Sequence, residues 1–154
     1  SNRANAYYSV EVMQEMAAQL GRATARAIEK SGKRALLLAS NSLSHRHFIT
    51  EPEIPEDMSA EHITSHHLYL WDMKLIEMMK QGKTKEIFDI MPEFTEQAVS
   101  ESDGGAFSWI LSALNFPTYP AIVHGYGTII GTGNAVVEWP AEAAENAEVT
   151  PRGE

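Results

Sequence analysis

The stretch GKRALLLASNSLSHRHF, residues 32–48, decides the fold. Gly32 offers a tight turn, Arg34 to Ala39 is a short and nearly unbroken apolar run, and Ser40-Asn41-Ser42 ends it in polar residues. Such a run after a glycine turn predicts a strand buried on both faces, as in an α/β sheet. Two imidazoles, His45 and His47, then follow in the loop. In open α/β sheets functional groups collect beyond the carboxyl ends of strands, and a histidine there is placed to move protons near neutral pH. A loop histidine without a role, or one that only caps a strand end, is the competing reading. Asn41, Ser42 and Ser44 supply hydrogen-bond partners that would fix an imidazole tautomer.

Working back from Gly32, apolar residues at Val12, Met16, Leu20, Ala23 and Ala27, with Met13, Ala17 and Ile28 beside them, recur at steps of three and four. They predict one amphipathic helix over 10–30, N-capped by Ser9 with Glu11 in its first turn and stopped at Ser31-Gly32-Lys33. Helix, tight turn and buried strand make up the repeating unit of an α/β fold.

Working forward, Pro52 and Pro55 among four acidic residues predict a surface loop over 49–58. Ser59 or Asp57 would cap one or two helices over 60–81, ending with Gly82 just past the C-cap. A short helix from Thr84 follows, and Pro92 would open the next. SDGG at 102–105 breaks the chain before a helix over 106–114. Two strands, about 120–130 and 134–139, are joined by Gly131-Thr132-Gly133-Asn134. Residues 141–154 read as a frayed tail. No repeat or linker divides the chain, so 1–154 is one domain or part of one, with its core over 7–140.

The 154 residues suffice for a real core. The absence of cysteine removes disulfides, thiol catalysis, Cys-ligated zinc and iron–sulfur clusters, and is compatible with a cytoplasmic protein. A net charge of −9 argues against a general nucleic-acid binder. No apolar run reaches the ~18 residues of a membrane span.

Other candidates weigh less. His62 and His66 are spaced i, i+4 and could chelate a metal on a helix. Ile63 stands where a metalloprotease needs Glu, so spacing favours an exposed polar face for His62, His66 and His67. Glu101 precedes the Gly104-Gly105 pair. By spacing alone it reads as a charge supporting a helix N-terminus, with a metal-ligating carboxylate as the functional alternative. The glycines of VHGYGTIIGTGN (123–134) fail both the dinucleotide and the P-loop patterns, so turns and close packing explain them better. His124 reads as a satisfied core or edge residue.

Four segments in order, ASNSLSHRHF (39–48), WDMKLIEMMKQGKTKEIFDIMPEF (71–94), SESDGGAFSWILSAL (100–114) and FPTYPAIVHGYGTIIGTGNAVVEW (116–139), resemble the class III extradiol ring-cleavage dioxygenases, the LigB family, and within it the branch acting on aminophenols. The resemblance implies an α/β fold with a central sheet flanked by helices. It implies non-haem Fe(II) held by two histidines and one carboxylate, O2 as co-substrate, and cleavage of 2-aminophenol or a catechol-type ring. By position, His45 matches the acid/base histidine and Glu101 the iron-ligating glutamate, while His47 has no matching role. None of the six histidines matches the family's two iron histidines, which lie in the N-terminal half of a chain about twice this length. The sequence therefore resembles a C-terminal half. Its implied partners are the N-terminal half, an aromatic small molecule and further subunits in a homo- or hetero-oligomer, with neither nucleic acid nor membrane. A non-catalytic subunit or inactive fragment serving assembly is the alternative, and a hydrolytic metal site around His62 and His66 a third.

Overall fold

The computed structural model describes residues 8–47 and 65–143. Helix α1 runs Val10–Ser31, α2 His66–Lys80, α3 Thr84–Ala98 and α4 Gly105–Ala113, with a short turn Glu101–Gly104 between α3 and α4. Strands β1 (Ile122–Ile129) and β2 (Thr132–Glu138) form an antiparallel pair. The chain is thus α/β, rich in helix, with a small two-stranded sheet. No helix among the described residues is long and apolar enough to cross a membrane.

The core lies where α2, α3 and α4 meet. Leu75, Met79, Ile87, Met91, Phe94 and Leu111 are fully buried there, each such side chain contributing about 1.5–3 kcal/mol. Phe94 packs at a tilt on Trp71, with ring centroids 6.0 Å apart.

Helix α1 has the expected ends. Ser9 Oγ accepts the Val12 N–H at 3.4 Å, and Gly32 turns left-handed at φ 62°. Its orientation differs from a simple amphipathic reading. Gln14, Ala18 and Gly21 face inward, while Val12, Met16 and Leu20 are 45, 54 and 62% exposed. Close approach to α4 decides this: a Cβ on Gly21 would come within 2.4 Å of the Trp109 carbonyl oxygen. Only small residues fit along that seam, and Ser112 Oγ donates across it to the Ala18 carbonyl at 2.7 Å.

The expected strand at Arg34 to Ala39 is not formed. The segment is irregular, and Leu36 and Leu38 are 92 and 77% exposed. A strand buried on both faces needs neighbours along both edges. Among the described residues β1 and β2 are the only strands, and β2 bridges the chain at His45 rather than along 34–39, so nothing flanks the run.

Pro92 does not open a new helix; it lies inside α3. Proline has no N–H, so the carbonyl one turn back loses its intrahelical donor. That carbonyl belongs to Phe88, and the side-chain amide of Gln14 donates to it. The compensation comes from α1, far along the chain, which is why local sequence suggested a break. Gln14→Leu should therefore cost about 1–3 kcal/mol in denaturant unfolding, by leaving a part-buried carbonyl unpaired. In a Pro92→Ala background, where the helix regains its donor, the same change should cost measurably less.

One further boundary moved, that of the hairpin. Helix α2 begins at His66, capped by Ser65, whose Oγ accepts the Leu68 N–H at 3.4 Å. The loop over 49–58, the caps Asp57 and Ser59, and the 60–64 part of the expected helix lie outside the described residues, as does the tail beyond 143. The hairpin turns at Ile130-Gly131, both left-handed (φ 47° and 85°), while Thr132, Gly133 and Asn134 belong to β2. Positive φ at both positions is what a two-residue hairpin turn demands, although a β-branched residue rarely adopts it.

Candidate active site

The loop holding the two histidines is fixed from three sides. Leu43 N–H donates to the Gly133 carbonyl at 2.7 Å, and Gly133 N–H returns to the Ser44 carbonyl at 3.0 Å. His45 N–H donates to the Ala98 carbonyl at 3.2 Å, at the end of α3. Beneath lies Asp72 of α2, only 1% exposed. Its carboxylate accepts the Ser44 N–H at 2.8 Å, the Ser44 hydroxyl at 2.9 Å and the Tyr126 hydroxyl at 2.8 Å. Burial pushes the Asp72 carboxyl above its ordinary range, and the bonds from Tyr126 and Ser44 pull against that.

His45 and Glu101 meet across this loop. Ser42 joins them: its N–H donates to Glu101 Oε2 at 2.6 Å, and its Oγ lies 2.6 Å from His45 Nδ1. The carboxylate oxygen is itself 3.8 Å from Nδ1. On the other side of the ring, His45 Nε2 lies 2.9 Å from His47 Nε2, the two rings edge to face. A proton shared along this row can sit between Ser42 and His45 or between the two imidazoles, as the tautomer requires.

Glu101 does not sit in the first turn of α4. Ser102, Asp103 and Gly104 intervene in left-handed conformation (φ 54°, 52° and 73°) and turn the chain between Glu101 and the helix. For Ser102 and Asp103 this conformation costs roughly 1–3 kcal/mol each and persists where the surroundings hold it. Gly104 could not be otherwise, since a Cβ there would meet Met91 Cγ at 2.2 Å. Supporting a helix terminus is therefore not what this carboxylate does. Its hydrogen bond reaches back across 59 positions to Ser42.

The His45 imidazole is held below its ordinary pKa of 6.5. Partial burial is the main cause, the Glu101 charge opposes it, and His47 adds to it. The ring is thus neutral at pH 7 and able to accept a proton. A lowered folded pKa means that the unfolded chain binds the proton more readily. This group's contribution to stability is present above pH 6.5 and is lost as pH falls below it. An NMR titration should place the His45 midpoint below 6.5, and Glu101→Gln should lower it further by removing the favourable charge.

The remaining histidines gather no comparable site. His67 Nε2 lies 3.2 Å from the Gln97 carbonyl, and His66 stacks loosely on Tyr69. His62 lies outside the described residues, so the proposed chelate is not visible as a pair. His124 is an exposed edge residue paired with Glu138 at 2.9 Å. Among the described residues, no three His, Asp or Glu side chains are gathered to hold a metal. Glu101 suits a carboxylate ligand, because Oε2 takes the Ser42 bond and Oε1 accepts none from a described residue. His45 and His47 are turned toward each other, so for a two-histidine, one-carboxylate centre these residues offer only a carboxylate.

Sequence reading missed Asp72 and Tyr126, and expected Ser44 to bond an imidazole where it bonds Asp72. A signal existed for Asp72. It stands four residues after Leu68, three before Leu75 and four before Ile76, on the buried stripe of α2. An acid on such a stripe requires partners.

Comparison with known proteins identifies the family of the chain. Residues 4–115, which include both His45 and Glu101, match the family model described as the catalytic LigB subunit of aromatic ring-opening dioxygenase. The chain is 56% identical over 130 residues to the 2-aminophenol 1,6-dioxygenase beta subunit of a Pseudomonas species, covering 84% of this chain and 43% of that protein. It is 27% identical over 112 residues to the alpha subunit from Pseudomonas, covering 73% of this chain and 40% of that one. The chain therefore spans less than half the length of these relatives. By the extent of the family match, it belongs to the LigB family of aromatic ring-opening dioxygenases.

Proposed function

We propose that this chain is the C-terminal part of an Fe(II)-dependent extradiol dioxygenase that opens the ring of 2-aminophenol or a related catechol. In this reading His45 is the acid/base and Glu101 an iron ligand. The observation that carries it is the Ser42 bridge, which brings a neutral imidazole and a carboxylate from distant parts of the sequence to one residue. When bound, Fe(II) supplies the place where the ring heteroatoms and O2 meet and exchange electrons. The chain's own part is proton handling. His45 takes the proton from the substrate's hydroxyl or amino group at Nε2, where the substrate would replace His47, while Ser42 keeps the ring oriented through Nδ1, and returns it as the ring opens. Before it takes that proton, burial, with a smaller part from His47 against Nε2, keeps the His45 ring neutral.

The two iron histidines would come from an N-terminal half. Two exposed apolar surfaces support such a partner: the run around Leu36 and Leu38, and the Val12–Met16–Leu20 stripe of α1. A strand from the other half laid against Arg34 to Ala39 would complete the central sheet of the family fold. The likeness to both alpha and beta subunits supports assembly with a related subunit.

The test is to make the chain with and without the matching N-terminal half, then measure bound iron and oxygen uptake with 2-aminophenol and with catechol. Neither part should consume oxygen alone, and the pair should. A pair that folds together yet neither binds iron nor consumes oxygen would instead be the non-catalytic assembly subunit.

A further inference from the structure

Asp72 occupies a core position. Leu68, Leu75 and Ile76, its neighbours along the inner face of α2, are all buried, and an apolar side chain there would continue the stripe. A carboxylate in that place carries a desolvation cost that only hydrogen bonds offset. The bonds it makes are not spread at random. Two go to a single residue, Ser44, through both its backbone and its hydroxyl, and the third comes from Tyr126 of β1. The adjacent strand approaches as closely as it can: a Cβ on Gly133 would fall 1.8 Å from Asp72 Oδ2 and 3.0 Å from Ser44 Oγ. Helix, hairpin and loop thus converge on one carboxylate, which holds Ser44, the residue before His45.

We infer that Asp72 is the positioning residue of the His45 loop, locking Ser44 and through it setting where the His45 ring stands relative to Ser42 and Glu101. The inference rests on His45 being the acid/base. The lock acts on the backbone. With Ser44 N–H and Oγ both tied to Asp72, the next amide, His45 N–H, meets the Ala98 carbonyl at 3.2 Å. From there the ring reaches Ser42 Oγ at 2.6 Å. A loop free to slide would keep the same residues and lose this alignment. Tyr126 has the smaller part: it steadies the carboxylate and ties the hairpin to α2.

Three variants separate positioning from bulk stability. Asp72→Asn keeps the shape and one acceptor. Ser44→Ala removes only the hydroxyl bond and leaves α2 untouched, so it remains informative if an Asp72 variant folds poorly. Tyr126→Phe removes the third donor. Hydrogen exchange on the assembled two-part protein should show the amides of residues 43–45 exchanging about tenfold faster or more in Ser44→Ala and Asp72→Asn, with Leu75 and Ile87 nearly unchanged. The His45 15N signals should move toward those of a tautomer-averaged, mobile ring. In the two-part enzyme, kcat should fall roughly 10–100-fold with KM and iron content held. Tyr126→Phe should show the same pattern more weakly.

The inference is overturned if exchange at 43–45 stays at the wild-type rate. It is also overturned if exchange rises equally across the helices, which marks a purely structural carboxylate, or if kcat is unchanged in an active assembly. Should the assembly show no dioxygenase activity at all, the exchange and 15N results still decide whether Asp72 holds the loop, so failure of the functional reading is told apart from failure of this one.

Discussion

Glu101→Gln is expected to strip iron from the assembled enzyme. Gln preserves the volume and keeps a carbonyl oxygen to accept the Ser42 N–H, so the loop geometry should survive. What it loses is the negative charge, and with it the anionic oxygen that a hard divalent cation requires. Loss of a mere outer partner of a metal ligand costs roughly 10–100-fold in affinity. Loss of the ligand itself should exceed that, leaving the purified variant essentially iron-free while its melting temperature stays close to wild type. An unchanged iron stoichiometry would remove Glu101 from the ligand set. Because Glu101 also favours the charged form of His45, the same variant should show the lowered imidazole midpoint described above, an effect visible without any metal.

His45→Ala should act on the opposite side of the ledger. Iron should remain and turnover should collapse. A positioned acid/base contributes on the order of 10²–10⁴-fold, so kcat should fall by about that factor with bound iron unchanged. The acid limb of the pH–rate profile, set in the wild type by a histidine with a depressed pKa, should flatten in the variant. Turnover that survives the substitution would disprove the assignment. Together the two variants split the site into a metal-holding half and a proton-handling half that Ser42 joins.

How much of this was legible in the sequence depended on where each cause lies. Helix α1 was readable at both ends because Ser9 and Gly32 act on their own neighbours. Gly82 at the end of α2 was readable for the same reason. The family motifs pointed to His45 and Glu101, and the structure brings the two together. Features whose cause lies far along the chain were not readable. Pro92 looked like a helix start because its remedy, Gln14, belongs to another helix. The hairpin turn was placed too late because a β-branched residue, Ile130, adopts a backbone conformation that local preference assigns to glycine or asparagine. The run Arg34 to Ala39 has the composition of a buried strand, and composition cannot supply the strands beside it. Asp72 was available to inspection, since its spacing from Leu68, Leu75 and Ile76 marks it as inward-facing.

The same run has a consequence for the life of the chain in a cell. Leu36 and Leu38 face water, and among the described residues no backbone hydrogen bond engages positions 34–41. A leucine-rich segment with unclaimed amides is a template for pairing with another copy of itself. Made alone and concentrated, the chain should clump into β-rich aggregates or be degraded. Made beside its complement, it should stay dispersed. Aspartate at Leu36 or Leu38 should cure the clumping and, with the strip as the proposed docking edge, abolish assembly together.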